Sequence, residues 1–433
     1  MFKTLVNAFK EKEIRNKLLT TLGLLFLFVL GTWIPVPGID SSVFKSATSG
    51  NTFLSLLSSI NGGALANGAV LALGVSPYIT SSIIMQLLTI AIPSIEQMAR
   101  NGGEEGRRKF NKFIRYGALI LAIAQAIGIV VAFNNSGNAI TDVLFGNTLV
   151  TSIFVVLVLV AGAMFTVWMG EKITEIGIGN GMSLLVFIGI LSSASIQLLQ
   201  TFTDIFTGEA TDEMVWGVII FLVALVVIFA LIVFIDLAER KIPVTYAKQV
   251  RGRKMMGGQT TELPLKVNSS GVIPIIFASA FLMFPQIIIS IFWPTSSFAA
   301  FWNQYLGAGS WVYSVFLALL ILVFAFFYAQ VTFSPEDAAK RIQENGGMVA
   351  SYRPGKPTVD YLRKVQKRLV LFGAIFLAFI ALIPTLIFQA INVGTLVNAF
   401  TATGMLIIVS VALEFNKGLE EQMIIRNYKG FLK

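Results

Sequence analysis

Ten apolar stretches, each near the length of about 20 residues that a helix needs to cross roughly 30 Å of hydrocarbon, dominate this chain of 433 residues. They lie near 18–35, 70–93, 114–133, 149–170, 182–200, 215–235, 272–293, 311–331, 369–389 and 393–415. Inside a bilayer every backbone N–H and C=O must be bonded within the protein, so runs of this length are read as spanning helices. Composition agrees: 55% of residues are hydrophobic and 13% charged, with a mean hydropathy of +0.79, outside the range of soluble domains. The expected fold class is an all-α polytopic membrane protein with ten transmembrane helices. With Cys 0 and His 0, the inventory excludes disulfides, thiolate or imidazole metal sites, histidine-ligated haem and any Ser-His or Cys-His nucleophile.

Charge sets the orientation. Of the 32 Lys and Arg, all but Lys45 fall before span one, in alternate connections or after span ten, which by the positive-inside rule places both termini in the cytoplasm. The opposite side is mildly acidic, with Asp40, Asp142, Asp204, Glu209, Asp212 and Glu213, and Trp33, Trp216, Trp293 and Trp311 sit at its span ends as interfacial anchors. Residues 1–17 lack a small-residue cleavage pattern, so span one reads as a retained helix. Phe2, Leu5, Val6 and Phe9 share one helical face, which suggests a basic surface helix; a solvated tail is the alternative.

An internal repeat follows. Span two carries Gly74-Val75-Ser76-Pro77-Tyr78-Ile79 and span seven opens with Gly271-Val272-Ile273-Pro274-Ile275-Ile276, both G-V-x-P-x-I. The copies are five spans apart, an odd number, so two five-helix halves built on them are inverted relative to one another. The prolines are expected either to interrupt these helices beside a pathway or to kink them for packing. Glu96, Asp236 and Glu414 lie at cytoplasmic ends, which leaves no acidic relay at depth for proton coupling. Uncharged faces of Ile, Val, Ser and Thr suit a conduit closed by a hydrophobic constriction. Ahead of span two, the apolar run from Phe53 to Ile60 is too short to span and is followed by Asn61, Gly62 and Gly63. It reads either as a re-entrant element able to fill a pore mouth or as a helix packed on the outer surface.

Two cytoplasmic connections are long. After span six, alternating Ile242, Val244 and Tyr246 precede Arg251-Gly252-Arg253-Lys254, a β-hairpin with a cationic tip. After span eight, Ser334-Pro335-Glu336-Asp337 starts a helix that ends at Gly346-Gly347, and Tyr352-Arg353-Pro354-Gly355 turns before a second helix from Thr358. Projecting basic loops suit a large acidic partner, ribosomal RNA or a protein; orientation alone needs the charge but not the length. Gly355-Lys356 lacks the rest of a phosphate-binding loop, and Gly177-Ile178-Gly179-Asn180-Gly181 is no dinucleotide fingerprint. The chain is expected not to be an enzyme and to take no cofactor, so a partner must supply any work. A carrier for neutral solutes is the competing class.

GVSPYITSSIIMQLL in span two, EIGIGNGMSLLVF entering span five, LPLKVNSSGVIPIIFAS entering span seven and YRPGKPT together resemble the SecY family, the channel subunits of the bacterial Sec translocon. The resemblance runs nearly end to end. It implies an hourglass pore between the two halves, which take residues 18–200 and 201–415, with a plug at about 53–65, cytoplasmic loops at about 236–270 and 332–368, and a tail from 416. It implies a pore ring of Val75, Ile79, Val186, Ile276 and Ile407, with Leu184 or Leu185 as alternatives to Val186. It implies a lateral gate between spans two and seven with Thr80, Ile83, Gln86, Gln125, Ser279 and Phe284. The plug would comprise Phe53, Leu54, Leu56, Leu57, Ile60, Asn61, Gly62 and Gly63, and Arg251, Arg253, Lys254 and Arg353 would dock partners. The implied function is passage of unfolded secretory polypeptides bearing a signal sequence across the bacterial plasma membrane, with release of transmembrane segments into membrane lipid. The implied partners are the small membrane subunits SecE and SecG, the motor ATPase SecA and the ribosome.

Overall fold

A computed structural model describes residues 9–50, 54, 58–137, 147–207, 212–246, 249–251, 254–256, 260–268, 271, 273–292, 296–307, 310–349, 352–391 and 402–430. The helices are α1 Lys12–Gly31, α2 Ser41–Gly50, α3 Ser76–Ala91, α4 Pro93–Glu96, α5 Gly103–Gly137, α6 Thr148–Ile176, α7 Gly181–Phe206 and α8 Asp212–Asp236, then α9 Ile273–Phe292, α10 Ser297–Tyr305, α11 Trp311–Thr332, α12 Pro335–Glu344, α13 Lys356–Ile391 and α14 Ala402–Gly430. The strands are β1 Glu239–Tyr246, β2 Gln249–Arg251, β3 Lys254–Met256, β4 Thr260–Lys266 and β5 Gly347–Val349.

Each of the ten expected spans falls on one of these helices: α1, α3, α5, α6, α7, α8, α9, α11, α13 and α14. Among the described residues, 7 helices are long and apolar enough to cross a membrane, and 8 crossings result if α3 and the piece after it, bent by 111°, are counted as one. Ile273–Leu282 of α9 is a shorter apolar helix, and the described part of α14 begins inside its expected span. The bend after α3 has a local cause. Ile92 precedes Pro93 and is extended, with φ −122° and ψ 108°, because the proline ring disfavours helical backbone in the residue before it.

The packing shows the repeat. Within the first five spans, α1 packs on α6 and α7, α3 on α5, α5 on α6, and α6 on α7. Within the last five, α8 packs on α13 and α14, α9 on α11, α11 on α13, and α13 on α14. These are the same pairings shifted by five spans. The halves meet where α7 packs on α14 and where α5 packs on α9.

The prolines of the repeat do not interrupt helices. Residues 61–75 are turns, and Pro77 sits in the first turn of α3; Pro274 likewise follows Ile273, the first residue of α9. In a first turn the missing N–H of proline would have had no intrahelical partner. Both glycines of the repeat are left-handed, Gly74 at φ 53° and Gly271 at φ 62°. The shared motif is therefore a helix start, with a glycine turning the chain into it.

The irregular backbone ahead of α3 is bonded. Val36 N–H donates to Gly68 C=O and Val70 N–H to Ile34 C=O, each at 2.9 Å, as buried non-helical backbone requires. Gly162 of α6 leaves room for it, since a Cβ there would lie 2.0 Å from the Val70 carbonyl oxygen. Asn180, in the glycine-rich stretch before span five, caps α7 by accepting from Met182 N–H at 3.1 Å. Of the surface-helix residues at the N-terminus, Phe9 is exposed, while Phe2, Leu5 and Val6 lie outside the described residues.

Candidate functional site

Five aliphatic side chains belong to or border the large apolar cluster of the membrane region. Val75, which precedes α3, Val186 of α7 and Ile407 of α14 are buried members, and Ile79 of α3 and Ile276 of α9 pack against the cluster. The sequence left the α7 contribution open. Leu185 turns toward α6, where its Cδ1 would lie 3.2 Å from a Cβ at Gly170. Val186 shares its helical face with Gly189 and Ser193 by the i, i+3 and i+7 spacing, and that face carries the segment expected to fill the pore.

The contact is close. Ser193 Oγ donates to the Ser59 carbonyl at 3.0 Å, and a Cβ at Gly189 would lie 2.5 Å from the Ile60 carbonyl oxygen. Ser58–Ile60 are helical and Ile60 packs on the main cluster. Asn61 is buried and donates from Nδ2 to Ala72 C=O at 2.9 Å. Gly62 and Gly63 have φ of 72° and 81°, so the chain reverses there on residues without a Cβ. Leu54 packs on a second cluster between α5 and α6; Phe53, Leu56 and Leu57 lie outside the described residues.

The hydroxyls of Thr80 on α3 and Ser279 on α9 bond within their own helices. Thr80 Oγ1 donates to Ser76 C=O at 3.0 Å and Ser279 Oγ to Ile275 C=O at 2.7 Å. Ile83 is buried with Ile275, Phe277 and Ala278 in the main cluster, and Gln125 of α5 is buried. Gln86 donates from Nε2 to Ser82 Oγ at 3.0 Å and accepts at Oε1 from the hydroxyl of Tyr328 on α11. Sequence reasoning missed Tyr328. It joins span two to span eight, the symmetric counterpart of the span-three to span-seven packing, and Phe277 of α9 meets its ring edge-on at 4.8 Å. Phe284 lies in α9, with its side chain outside the described set.

The family model described as SecY matches residues 69–416. The chain belongs to the SecY family. Among its relatives, a protein translocase subunit SecY of Staphylococcus epidermidis is 39% identical, covering 100% of this chain and 99% of that one. Another, from Mycobacterium bovis, is 38% identical with 100% of each covered. A solved structure described as a protein-conducting channel matches with TM-score 0.67 at 20% identity, over 94% of this chain and 92% of the other. Canine Sec61 in a ribosome-channel complex from the endoplasmic reticulum matches with TM-score 0.62 at 18% identity, over 94% and 92%.

In this SecY-family chain the two long connections form one body. β1 pairs antiparallel with β4, with Ile242 opposite Leu263, and on its other edge with β5, with Val244 opposite Val349. β5 covers only Val244 to Tyr246, so β1 around Pro243 has a partner on one side only, where a residue lacking N–H is tolerated. Ile242, Val244, Leu265, Ala339, Ile342, Val349 and Leu362 make the core of this unit. β2 and β3 form a second hairpin with Arg251 opposite Lys254; Arg253 lies outside the described residues. Ser334 caps α12, accepting from Asp337 N–H at 3.3 Å. Glu336 is paired with Arg363, and its own backbone N–H, then Arg363, hold its carboxyl below the usual range. The second helix begins at Lys356 and not at Thr358, and runs on without a break as span nine. Thr358 Oγ1 instead donates to Arg353 C=O at 2.8 Å, which fixes the turn that leaves Arg353 exposed.

Proposed function

We propose that this SecY-family chain is the channel of a translocon in the bacterial plasma membrane, with both termini cytoplasmic, passing unfolded secretory polypeptides through the ring of Val75, Ile79, Val186, Ile276 and Ile407. The observation that carries this reading is the bonding of the end of the short outer segment to the Val186 face of α7, beside an apolar cluster that all five side chains join or border. Such a constriction excludes ions by dewetting and makes no demand on the chemistry of what passes.

The halves 18–200 and 201–415 part between α3 and α9 to release transmembrane segments and signal sequences into lipid, with Thr80, Ile83, Gln86, Gln125, Ser279 and Phe284 at the edges. The hydroxyls of Thr80 and Ser279, already satisfied within their own helices, are not orphaned when the edges separate. The segment from Phe53 through Leu54, Leu56, Leu57 and Ile60 to Gly63 is the plug. Arg251, Arg253, Lys254 and Arg353 receive the ribosome and the motor ATPase SecA, and the small subunits SecE and SecG complete the complex.

A photo-crosslinking residue placed at Ile276 tests this. During translocation it should capture a secretory precursor, and a stalled precursor should also be captured from Ile79. Capture of neither, in a complex that exports the precursor, would overturn the assignment of the ring.

A further inference from the structure

Asp236, the last residue of α8, joins the cytoplasmic unit to the pore helices. Its carboxylate accepts from Asn268 Nδ2 at 2.6 Å and from Ser410 Oγ at 2.7 Å. Asn268 and Ser410 are 8% and 9% exposed, so neither donor has water to fall back on. Breaking either bond would strand a buried donor.

Each donor belongs to a part already described. Asn268 follows β4, where the chain leaves the cytoplasmic sheet. Its neighbour Val267 is held on two sides: its N–H donates to Ala238 C=O at 3.0 Å, and its carbonyl oxygen abuts α13, 2.7 Å from where a Cβ at Gly373 would stand. Ser410 lies on α14 three residues beyond Ile407, within one helical turn of the ring. A displacement of the hairpin base is therefore carried by bonded atoms to the helix that holds Ile407.

We propose that Asp236 is a positioning residue that transmits partner docking at the cytoplasmic hairpin to the pore ring, by holding Asn268 at the hairpin base and Ser410 beside Ile407 in one bonded unit. This rests on the reading of the hairpin as a docking site. A pin with a purely structural role would alter the resting ring and leave its response to docking intact.

The chain contains no cysteine, so Ile407→Cys gives a single reporter within this chain when the complex is studied in lipid. The rate of its modification by a small maleimide is measured with and without saturating ribosomes that carry no nascent chain. Docking should change the rate roughly fivefold or more, the usual span of coupling between sites. Adding Asp236→Ala, which removes the acceptor of both bonds, should bring the docked-to-free ratio near one while ribosome affinity stays unchanged. Exchanging the pair, Asp236→Asn with Asn268→Asp, should keep the parental ratio, because the bond between them re-forms with donor and acceptor exchanged while the amide oxygen at 236 still accepts from Ser410 Oγ. Ser410→Ala should repeat the loss, and it carries the test if Asp236→Ala fails to accumulate. A ratio unchanged by Asp236→Ala or Ser410→Ala overturns the proposal, and so does a bound ribosome that leaves the reporter unaffected in the parent chain. Ribosome affinity indifferent to Arg251→Glu and Arg253→Glu would instead overturn the docking reading.

Discussion

The hydroxyl of Tyr328 makes a hydrogen bond across the two halves near α3 and α9, and its removal is a small, directed change. Tyr328→Phe keeps the ring packed on Phe277 and deletes only the donor to Gln86. A single bond of this kind contributes about 1 kcal/mol, a shift of roughly fivefold toward the parted state. Export of a precursor with a weakened signal sequence should rise by about that factor, while export of an intact precursor changes little; equal export of the weakened precursor by parent and variant would remove Tyr328 from the gate. Nothing in the sequence marked this residue, since it ends the aromatic run VFAFFYAQ and its partner lies in a distant span. The proposed ring residues were named by the family resemblance. At span five the contacts on either side, Leu185 with α6 and Gly189 with Ile60, favour Val186 over Leu185 for the proposed ring.

At the scale of elements, the close approach of the proposed plug to α7 depends on one missing side chain. Gly189→Ala would put a Cβ 2.5 Å from the Ile60 carbonyl oxygen and 3.3 Å from Gly62 N, both backbone atoms, so the segment must back away. We expect a raised resting ion conductance in planar bilayers, with Ser193→Ala, which loses only the bond to Ser59, showing a smaller rise. Parental conductance in Gly189→Ala would show that the seal does not depend on this contact. Hydropathy located ten stretches that each fall on a helix, of which 7 among the described residues are long and apolar enough to span on their own, because twenty-residue apolar runs have few other solutions. It could not place the start of α3: residues 61–75 are as apolar as the helix, yet they are turns that reverse on glycine and are tied down by Asn61. β5 was equally hidden, being only 3 residues with no period of its own and a partner strand on the far side of two spans.

For the whole molecule, basic residues gather on one side and the two long loops there share a core, so a partner meets a single body. Arg353→Glu reverses one exposed charge on that body, distant from the ring. Membrane insertion should be unaffected, while partner-driven export and the partner's membrane-stimulated ATP hydrolysis should fall sharply. Export that survives at physiological salt, where charges are screened over about 8 Å, would leave Arg353 as an orientation signal alone. The shared sheet has one more consequence. β1 and β5 lie side by side although α9, α10, α11 and α12 separate them in the chain, so that stretch leaves the sheet and returns to it like a flap sewn along one seam. The seam ties the cytoplasmic ends of spans seven and eight to one sheet. If the halves part between α3 and α9 as proposed, Tyr328 on α11 is expected to leave Gln86 as α9 leaves α3, so that the parting is one event.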